Sequence, residues 1–233
     1  MTQIKLVVFD LAGTTIVDSG DVSSVLCYAF EKHGQTVAHE RATAIMGISK
    51  KVAIEMLLLE AGRSIQAADT QHLINAIHRT FVDSMIDHYT SVSVASAIPG
   101  IEEVLAEIYA SGRYVYFDTG FDREIATRIV DIVGWKGREW YRGVVCSDDV
   151  NHGRPYPDMI YEIMRRCAVR YPDRVAKVGD TPSDMKQGET AGCGLIIGDT
   201  YGTHSETPLR MAGATAIAHE PNQILEHLGI VGG

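Results

Sequence analysis

The 233-residue sequence is poor in positive charge and has no closely paired cysteines. Its 21 lysine and arginine residues stand against 30 aspartate and glutamate residues, for a formal net charge of −9. Binding to a nucleic-acid backbone needs a basic surface, which argues against nucleic acid as a partner. A small anionic substrate needs only a local positive site. The four cysteines form no CxxC pair, so a zinc site is not expected and the thiols are predicted to be reduced.

Long hydrophobic runs are missing as well. No apolar stretch reaches the roughly 20 residues that a bilayer-spanning helix needs, so no membrane partner is expected. The sequence begins without a signal-peptide pattern and contains no internal repeat or low-complexity tract. Its composition, 45% hydrophobic and 22% charged, is ordinary for a globular protein. We therefore expect a cytoplasmic protein.

Short apolar runs recur along most of the chain and are typical of buried parallel strands. They are Ile4–Phe9, Tyr114–Phe117, Gly143–Cys146, Val175–Val178, Gly194–Ile197 and Thr215–Ala218. Helical patterns separate the later runs: Ile101–Ala110, Arg123–Val133, Met159–Ala168, Pro182–Ala191 and His204–Ala212. This alternation predicts an α/β fold with a doubly wound, Rossmann-like parallel sheet.

Residues 19–97 interrupt the alternation because they carry helical patterns only. These patterns are Val22–His33, Arg41–Met46, Lys50–Ala61 and Asp69–Tyr89. We predict an inserted alpha-helical domain over 19–97 and a core domain made of 1–18 and 98–233. The expected hinges are Val17–Gly20 and Ser96–Gly100, and Thr90–Ser96 is predicted to be the linker that returns to the core.

Polar residues follow the predicted strands: Asp10, Thr119, Arg154 and Asp180, with Asp184 close behind. Ligands of open α/β sheets bind beyond the carboxyl ends of the strands, so we expect these side chains to meet at one rim. Asp10 enters a glycine-containing loop, where a carboxylate can act as a nucleophile. The alternative is an ordinary turn aspartate.

The stretch VGDTPSDMKQG places two acids near a predicted helix start. Thr181 is expected to cap a helix that begins at Pro182, with Asp184 in its first turn. An acid there is also favoured by the helix dipole alone, which leaves a structural alternative for Asp184 but not for Asp180. Carboxylates grouped with Asp10 would repel one another without a cation, and oxygen ligands of this kind suit Mg²⁺.

Three further residues could hold phosphoryl oxygens. Thr119 offers a hydroxyl and Gly120 a backbone N–H, although a Thr-Gly pair is also a common turn. Arg154, in GRPYPD, could balance the carboxylates and clamp a phosphoryl oxygen, although a surface arginine is the ordinary alternative.

Taken together, these segments resemble the haloacid dehalogenase superfamily over nearly the whole chain. DLAGT resembles its nucleophile motif, Thr119 its second motif, Arg154 its third, where lysine is usual, and GDTPSD its fourth. The resemblance implies that Asp10 attacks phosphorus and that residues 19–97 form an alpha-helical cap. It also implies a Mg²⁺ site made of Asp10, the backbone carbonyl of Ala12, Asp180 and Asp184.

The resemblance is nearest to the phosphonatase branch, the phosphonoacetaldehyde hydrolases. Ala12 replaces the second aspartate of the nucleophile motif, Arg154 replaces lysine, and the cap carries MGISK. By resemblance, Lys50 is the Schiff-base lysine, and the substrate contacts are Met46, Gly47 and Gly120. The branch also implies a small phosphonate or phosphate-ester substrate and a possible homodimer.

The absence of an acid at position 12 agrees with this branch. Phosphatases of the superfamily use that acid to protonate a leaving alcohol, whereas cleavage of a P–C bond expels a carbanion. An imine formed with a lysine accepts those electrons and gives an enamine. We therefore expect a Mg²⁺-dependent, phosphonoacetaldehyde hydrolase-like enzyme that forms an aspartyl-phosphate.

The main alternative is a phosphatase for a small phosphorylated metabolite, in which Lys50 only gates cap closure. Adjacent helix positions face different ways, so Lys51 is the lysine expected to face solvent. A receiver domain is disfavoured by the helical insert, and a catalytically dead relative by the presence of all three acids. Three positions depart from the phosphonatase pattern: Ala53 replaces histidine, Phe121 replaces tyrosine and Gly20 replaces cysteine. The candidate substitutes for the histidine are His33, His39 and His72.

Overall fold

The computed structural model describes residues 3–91 and 96–230. Within those ranges, six strands form one parallel sheet. The strands are β1 (Leu6–Phe9), β2 (Tyr114–Thr119), β3 (Val144–Cys146), β4 (Val175–Gly179), β5 (Leu195–Asp199) and β6 (Ala216–Ala218). Their order across the sheet is β3-β2-β1-β4-β5-β6. The strand order therefore runs in opposite directions on the two sides of β1, and ligands of α/β sheets bind at such a point.

Helices fill both the insert and the crossovers between strands. Four follow β1: α1 (Asp21–Lys32), α2 (His39–Ala44), α3 (Lys50–Glu60) and α4 (Ala68–Thr90). Those between and after the later strands are α5 (Ile101–Ala110), α6 (Arg123–Ile132), α7 (Asp158–Arg166), α8 (Pro182–Ala191), α9 (Glu206–Met211) and α10 (Asn222–His227). Two short 3₁₀ helices lie at Ser147–Asp149 and Pro172–Arg174. This architecture confirms the predicted doubly wound sheet with an inserted helical cap.

Alternate residues of the strands pack on opposite faces of the sheet. Val7 and Phe9 of β1 belong to the cluster that includes the apolar residues of α5, α6 and α10. Leu6 and Val8 face the other way, into a cluster with α7. Successive side chains of a strand point to opposite faces, so a run that is apolar throughout requires cover on both sides.

The cap, α1–α4, is joined to the sheet by two chain segments that run side by side. Val17 N–H donates to Ser96 O over 3.0 Å, and Ile98 N–H donates to Thr15 O over 3.0 Å. This pairing lies at the predicted hinges. The exact domain boundaries, 18/19 and 97/98, stay a prediction.

The predicted elements match the observed ones to within two residues at each end. The prediction missed α10, because a single short segment of mostly polar residues has too little apolar periodicity to reveal a helix. The predicted linker Thr90–Ser96 is wrong at its start, because Thr90 is the last residue of α4. Residues 92–95 of that linker lie outside the described residues. Among the described residues, no helix is long and apolar enough to cross a membrane.

Candidate active site

Three carboxylates meet at the rim of the sheet. Asp10 follows β1, Asp180 follows β4, and Asp184 lies in the first turn of α8. One carboxylate oxygen from each lies within 4.8 Å of the others, and all three residues are buried. Because β1 and β4 are neighbours in register, with Phe9 opposite Val178, the residues that follow them emerge side by side.

The crowding of these acids shifts their titration. Burial, together with the nearby charge of Asp184, raises the pKa of Asp10 to about 6, although Arg154 opposes the shift. Burial and the charges of Asp10 and Asp184 raise the pKa of Asp180 to about 7. Burial alone would raise the pKa of Asp184, but Arg154 and Lys177 outweigh it and hold that pKa below its usual value. Such a set of oxygen donors fits a hard divalent cation, which would relieve their repulsion.

Two buried cations, Arg154 and Lys177, pair with the acids. Arg154 Nη2 donates to Asp10 Oδ1 over 2.6 Å and to Asp118 Oδ1 over 2.6 Å. Arg154 Nη1 lies 3.0 Å from Asp184 Oδ1. Lys177 Nζ lies 2.9 Å from the same oxygen and also pairs with Asp118. The predicted clamp at Arg154 is therefore part of a wholly buried ionic network that holds the side chain of Asp10 in place.

The turn after β4 is fixed by Thr181, as the sequence predicts. Its side chain accepts the backbone N–H of Asp184 at the start of α8 and donates to the carboxylate of the same residue. Thr203, from the loop after β5, donates its backbone N–H to Asp180 Oδ2 over 2.7 Å. Thr203 therefore lies at the rim, where its backbone N–H orients the carboxylate of Asp180.

A loop of the cap packs directly against the core loops. Gly47 has φ +85°, and a Cβ there would lie 2.3 Å from Thr181 Oγ1. At Gly120, a Cβ would lie 2.7 Å from the backbone oxygens of Gly47 and Ile48. Arg154 Nη1 also donates to Gly47 O over 3.2 Å. Glycine is required at both positions because any side chain would push the cap away from the rim.

Lys50 begins α3 and points inward. It is 3% exposed, whereas its neighbour Lys51 is exposed. Its Nζ donates to Ile48 O over 3.3 Å and lies 5.6 Å from the ring centre of Phe121 and 6.0 Å from that of Phe81. Burial lowers the pKa of Lys50 to about 8, with partial opposition from the charge of Asp10.

A cavity of about 30 Å³ separates the cap from the rim, with room for about two water molecules. Its lining includes most of the predicted site residues: Asp10, Ala12, Met46, Gly47, Lys50, Thr119, Gly120 and Arg154. Asp180 and Asp184 lie behind this surface. The nucleophile candidate and the cap amine thus face the same small space.

None of the histidines proposed as substitutes lines this cavity. His33 Nε2 is hydrogen-bonded to Thr80, His39 Nε2 lies 3.1 Å from Ser23 Oγ, and His72 is exposed. Phe121 does line the cavity, where it presents an apolar ring. Among the described residues, no imidazole lines this cavity.

Comparisons with known proteins identify the family to which this chain belongs. A model of haloacid dehalogenase-like hydrolases matches residues 4–192. The chain belongs to the haloacid dehalogenase-like hydrolases. This finding confirms the predicted family.

The relatives of this hydrolase include curated phosphonoacetaldehyde hydrolases. One from Bacillus cereus strain AH187 is 33% identical over 215 residues, covering 85% of this chain and 78% of the relative. Among solved structures, a phosphonoacetaldehyde hydrolase-like protein from Oleispira antarctica has a TM-score of 0.82 at 21% identity, covering 97% and 91% of the two chains. A putative phosphoglycolate phosphatase from Lactobacillus delbrueckii subsp. bulgaricus has a TM-score of 0.77 at 22% identity, covering both chains fully.

Several residues of this hydrolase's site were not anticipated from the sequence. Asp118 and Lys177 lie within β2 and β4, and Asp199 ends β5, where it accepts a hydrogen bond from Thr14 Oγ1 over 2.8 Å. Each of these charged residues is fully buried. A lysine or aspartate inside an apolar strand is rarely buried without a partner. The charged residues within AKV and FDT could therefore have indicated a buried ion pair. Asp18, which also lines the cavity, was considered only as part of a hinge.

Proposed function

We propose that this hydrolase is a Mg²⁺-dependent phosphonatase that cleaves the P–C bond of a small phosphono-aldehyde such as phosphonoacetaldehyde. The observation that carries the proposal is the buried amine of Lys50, which faces the same 30 Å³ cavity as Asp10. With alanine at position 12, the nucleophile loop offers no carboxylic acid for a leaving alcohol. The curated phosphonoacetaldehyde hydrolases at 33% identity support the same assignment.

The environment of Lys50 suits imine formation. Only a neutral amine adds to a carbonyl carbon, and burial makes the charged form less favourable. A pKa of about 8 leaves about a tenth of the amine neutral at pH 7. The rings of Phe81 and Phe121 provide an apolar wall for a short carbon chain.

In the proposed reaction, Lys50 Nζ adds to the aldehyde carbon and the oxygen leaves as water, giving an iminium. A carboxylate oxygen of Asp10 attacks phosphorus, and the electron pair of the P–C bond moves into the iminium to give an enamine. Protonation and hydrolysis then release acetaldehyde, and water hydrolyses the aspartyl-phosphate. In this proposal, Arg154 and Thr119 hold phosphoryl oxygens, and Gly120, Met46 and Gly47, which line the same cavity, contact the substrate.

The metal in this proposal would be held by Asp10, the Ala12 carbonyl, Asp180 and Asp184. When bound, Mg²⁺ supplies positive charge that stabilises the phosphoryl group in the transition state. Residues 19–97 act as the cap that brings Lys50 to the rim, and residues 1–18 and 98–233 act as the core.

A product assay with matched lysine variants tests the proposal. Wild type with Mg²⁺ is expected to release acetaldehyde and phosphate from phosphonoacetaldehyde in equal amounts. Lys50→Ala should lose acetaldehyde release by about 10³-fold or more, and Lys51→Ala, which changes an exposed neighbour, should keep it. Equal activity of Lys50→Ala and wild type would refute the proposal.

A second function, hydrolysis of a small phosphomonoester, is favoured by one specific observation. The groups proposed to act on phosphorus are Asp10, Arg154 and Thr119, which all lie on the core and need no contribution from Lys50. A panel of phosphomonoesters assayed with wild type and Lys50→Ala separates the two functions. Phosphate release that persists in Lys50→Ala, without any acetaldehyde from phosphonoacetaldehyde, would establish the phosphatase.

A further inference from the structure

The proposed imine chemistry needs a group that gives and takes protons beside Lys50. Among the described residues that line the cavity, the carboxylates are those of Asp10 and Asp18. Asp10 is committed to phosphorus and to Arg154. We propose that Asp18 is the acid–base residue that serves Lys50, a role that rests on the proposed function.

The carboxylate of Asp18 is held by one oxygen. Oδ1 accepts backbone N–H groups at the start of α1, from Gly20 at 3.1 Å, Asp21 at 2.8 Å and Val22 at 3.3 Å. No hydrogen bond to Oδ2 occurs among the described residues. The helix start thus fixes the position of the side chain while one oxygen stays available for proton transfer.

Asp18 also lies between two cavities. The first is the 30 Å³ space that it shares with Lys50. The second, of about 320 Å³, is lined by Asp18, Ser23, His39 and Thr43 among others, and the exposed Ser19 stands at its rim. Asp18, Met46 and Thr203 line both, and Asp18 alone of these three carries a titratable side chain. In this proposal, protons therefore reach the site from the wider cavity through this one carboxyl group.

The proton transfers assigned to Asp18 complete the reaction. A proton carried by Asp18 Oδ2 passes to the hydroxyl of the adduct between Lys50 Nζ and the aldehyde carbon, the C–O bond breaks, and that oxygen leaves as water. After the P–C bond breaks, the terminal carbon of the enamine takes a second proton from Asp18 and becomes a methyl group. Asp18 regains the first of these protons from water in the wider cavity. Water then adds to the iminium carbon, the carboxylate of Asp18 takes the proton that this hydrolysis releases, and acetaldehyde and the free amine are formed.

Deuterium exchange into acetaldehyde isolates this step from phosphorus chemistry. In D₂O, wild type is expected to exchange the methyl protons of acetaldehyde through the Lys50 iminium and enamine, as followed by proton NMR. Asp18→Asn should lower the exchange rate by about 10²-fold or more, the usual scale for loss of an acid–base residue. Asp21→Asn, next to it in sequence but outside both cavity linings, should stay within about twofold of wild type.

Two controls separate catalysis from structure. Asparagine caps a helix as well as aspartate does, so the thermal midpoints of Asp18→Asn and Asp21→Asn should agree. Reductive trapping of acetaldehyde on Lys50 with cyanoborohydride should go to completion in both variants, but more slowly in Asp18→Asn, which lacks the acid that assists loss of the hydroxyl. Exchange by Asp18→Asn at the wild-type rate would overturn the role of Asp18 alone. Failure of wild type to form any Lys50 adduct would overturn the proposed function, and this inference with it.

Discussion

The cavity lies between a core wall, which carries Asp10, and a cap wall, which carries Lys50. The two walls hold these reactive groups in different ways. On the core wall, Asp10 is bound by Arg154, which is itself anchored by Asp118 and lies 3.0 Å from Asp184. On the cap wall, the amine of Lys50 has one hydrogen bond among the described residues, to Ile48 O, and otherwise faces the rings of Phe81 from the cap and Phe121 from the core. The core wall stabilises charge through partners, whereas the cap wall withholds partners and so favours a neutral amine.

This contrast assigns each half of the chemistry to the wall that carries its nucleophile. Phosphoryl transfer needs fixed charges around the reacting atoms, and a buried ionic network provides them without reorganisation. Imine formation needs an uncharged nucleophile, which desolvation provides. If the contrast is correct, changes to one wall should leave the chemistry of the other largely intact.

The largest expected effect is that of Asp10→Asn. Phosphate release from phosphonoacetaldehyde should fall by about 10⁴-fold or more, because asparagine is not a nucleophile toward phosphorus. The Lys50 adduct should still form, and slightly faster, because the charge of Asp10 favours the protonated amine. Phosphate assays and cyanoborohydride trapping on the same preparation measure the two halves. Loss of both together would show that the walls do not act independently.

The second prediction concerns pH. The rate of adduct formation on Lys50 should rise about tenfold per unit from pH 6 to pH 7 and level off above about pH 8, because only the neutral amine reacts. Initial trapping rates with acetaldehyde, normalised at each pH to a lysine peptide, give this profile. An inflection near the value of about 10.4 for a solvated lysine would contradict a desolvated cap wall.

A third prediction tests the anchor of the core wall. Asp118→Asn removes a charge that binds both Arg154 and Lys177. We expect the free energy of unfolding to fall by about 3 kcal/mol and kcat to fall by about 10- to 100-fold, since the buried cations lose their partner. Adduct formation on Lys50 should change little.

The matched control for this variant is Asp131→Asn, which removes a half-exposed carboxylate that pairs with Lys136. Its unfolding free energy should stay within about 0.5 kcal/mol of wild type, as measured by denaturant titration. A similar small change in Asp118→Asn would mean that the ionic network does not support the core wall.

The smallest effect is expected at the start of α8. Thr181→Ala removes the cap of that helix and should cost about 1 kcal/mol of unfolding free energy, whereas Thr181→Ser keeps the hydroxyl and most of the stability. Denaturant titration of the two variants measures the difference. An equal loss of unfolding free energy in both variants would indicate that the methyl group, and not the hydroxyl, stabilises the start of α8.

The sequence predicts which site residues follow the strands, but it does not predict the buried ionic network that joins them. Asp10 and Asp180 could be placed because each follows an apolar run, and parallel strands end at one rim. Asp118 and Lys177 pair because β2 and β4 flank β1, and that order across the sheet is not written in any local pattern. The role of Asp18 required the positions of two cavities, which depend on how α1 and the loop of Met46 pack. Residues defined by their neighbours in space were therefore found only in the structure.

The central claim is that Lys50 of the cap forms a covalent adduct with the same substrate molecule whose phosphorus is attacked by Asp10. Cyanoborohydride trapping with phosphonoacetaldehyde, followed by peptide mass spectrometry, tests it directly. We predict a single two-carbon adduct on Lys50 and none on Lys51. Its rate of formation should rise with the neutral fraction of the amine. Phosphate should be released only when Mg²⁺ is present. A protein that released phosphate while Lys50 remained unmodified would contradict the account.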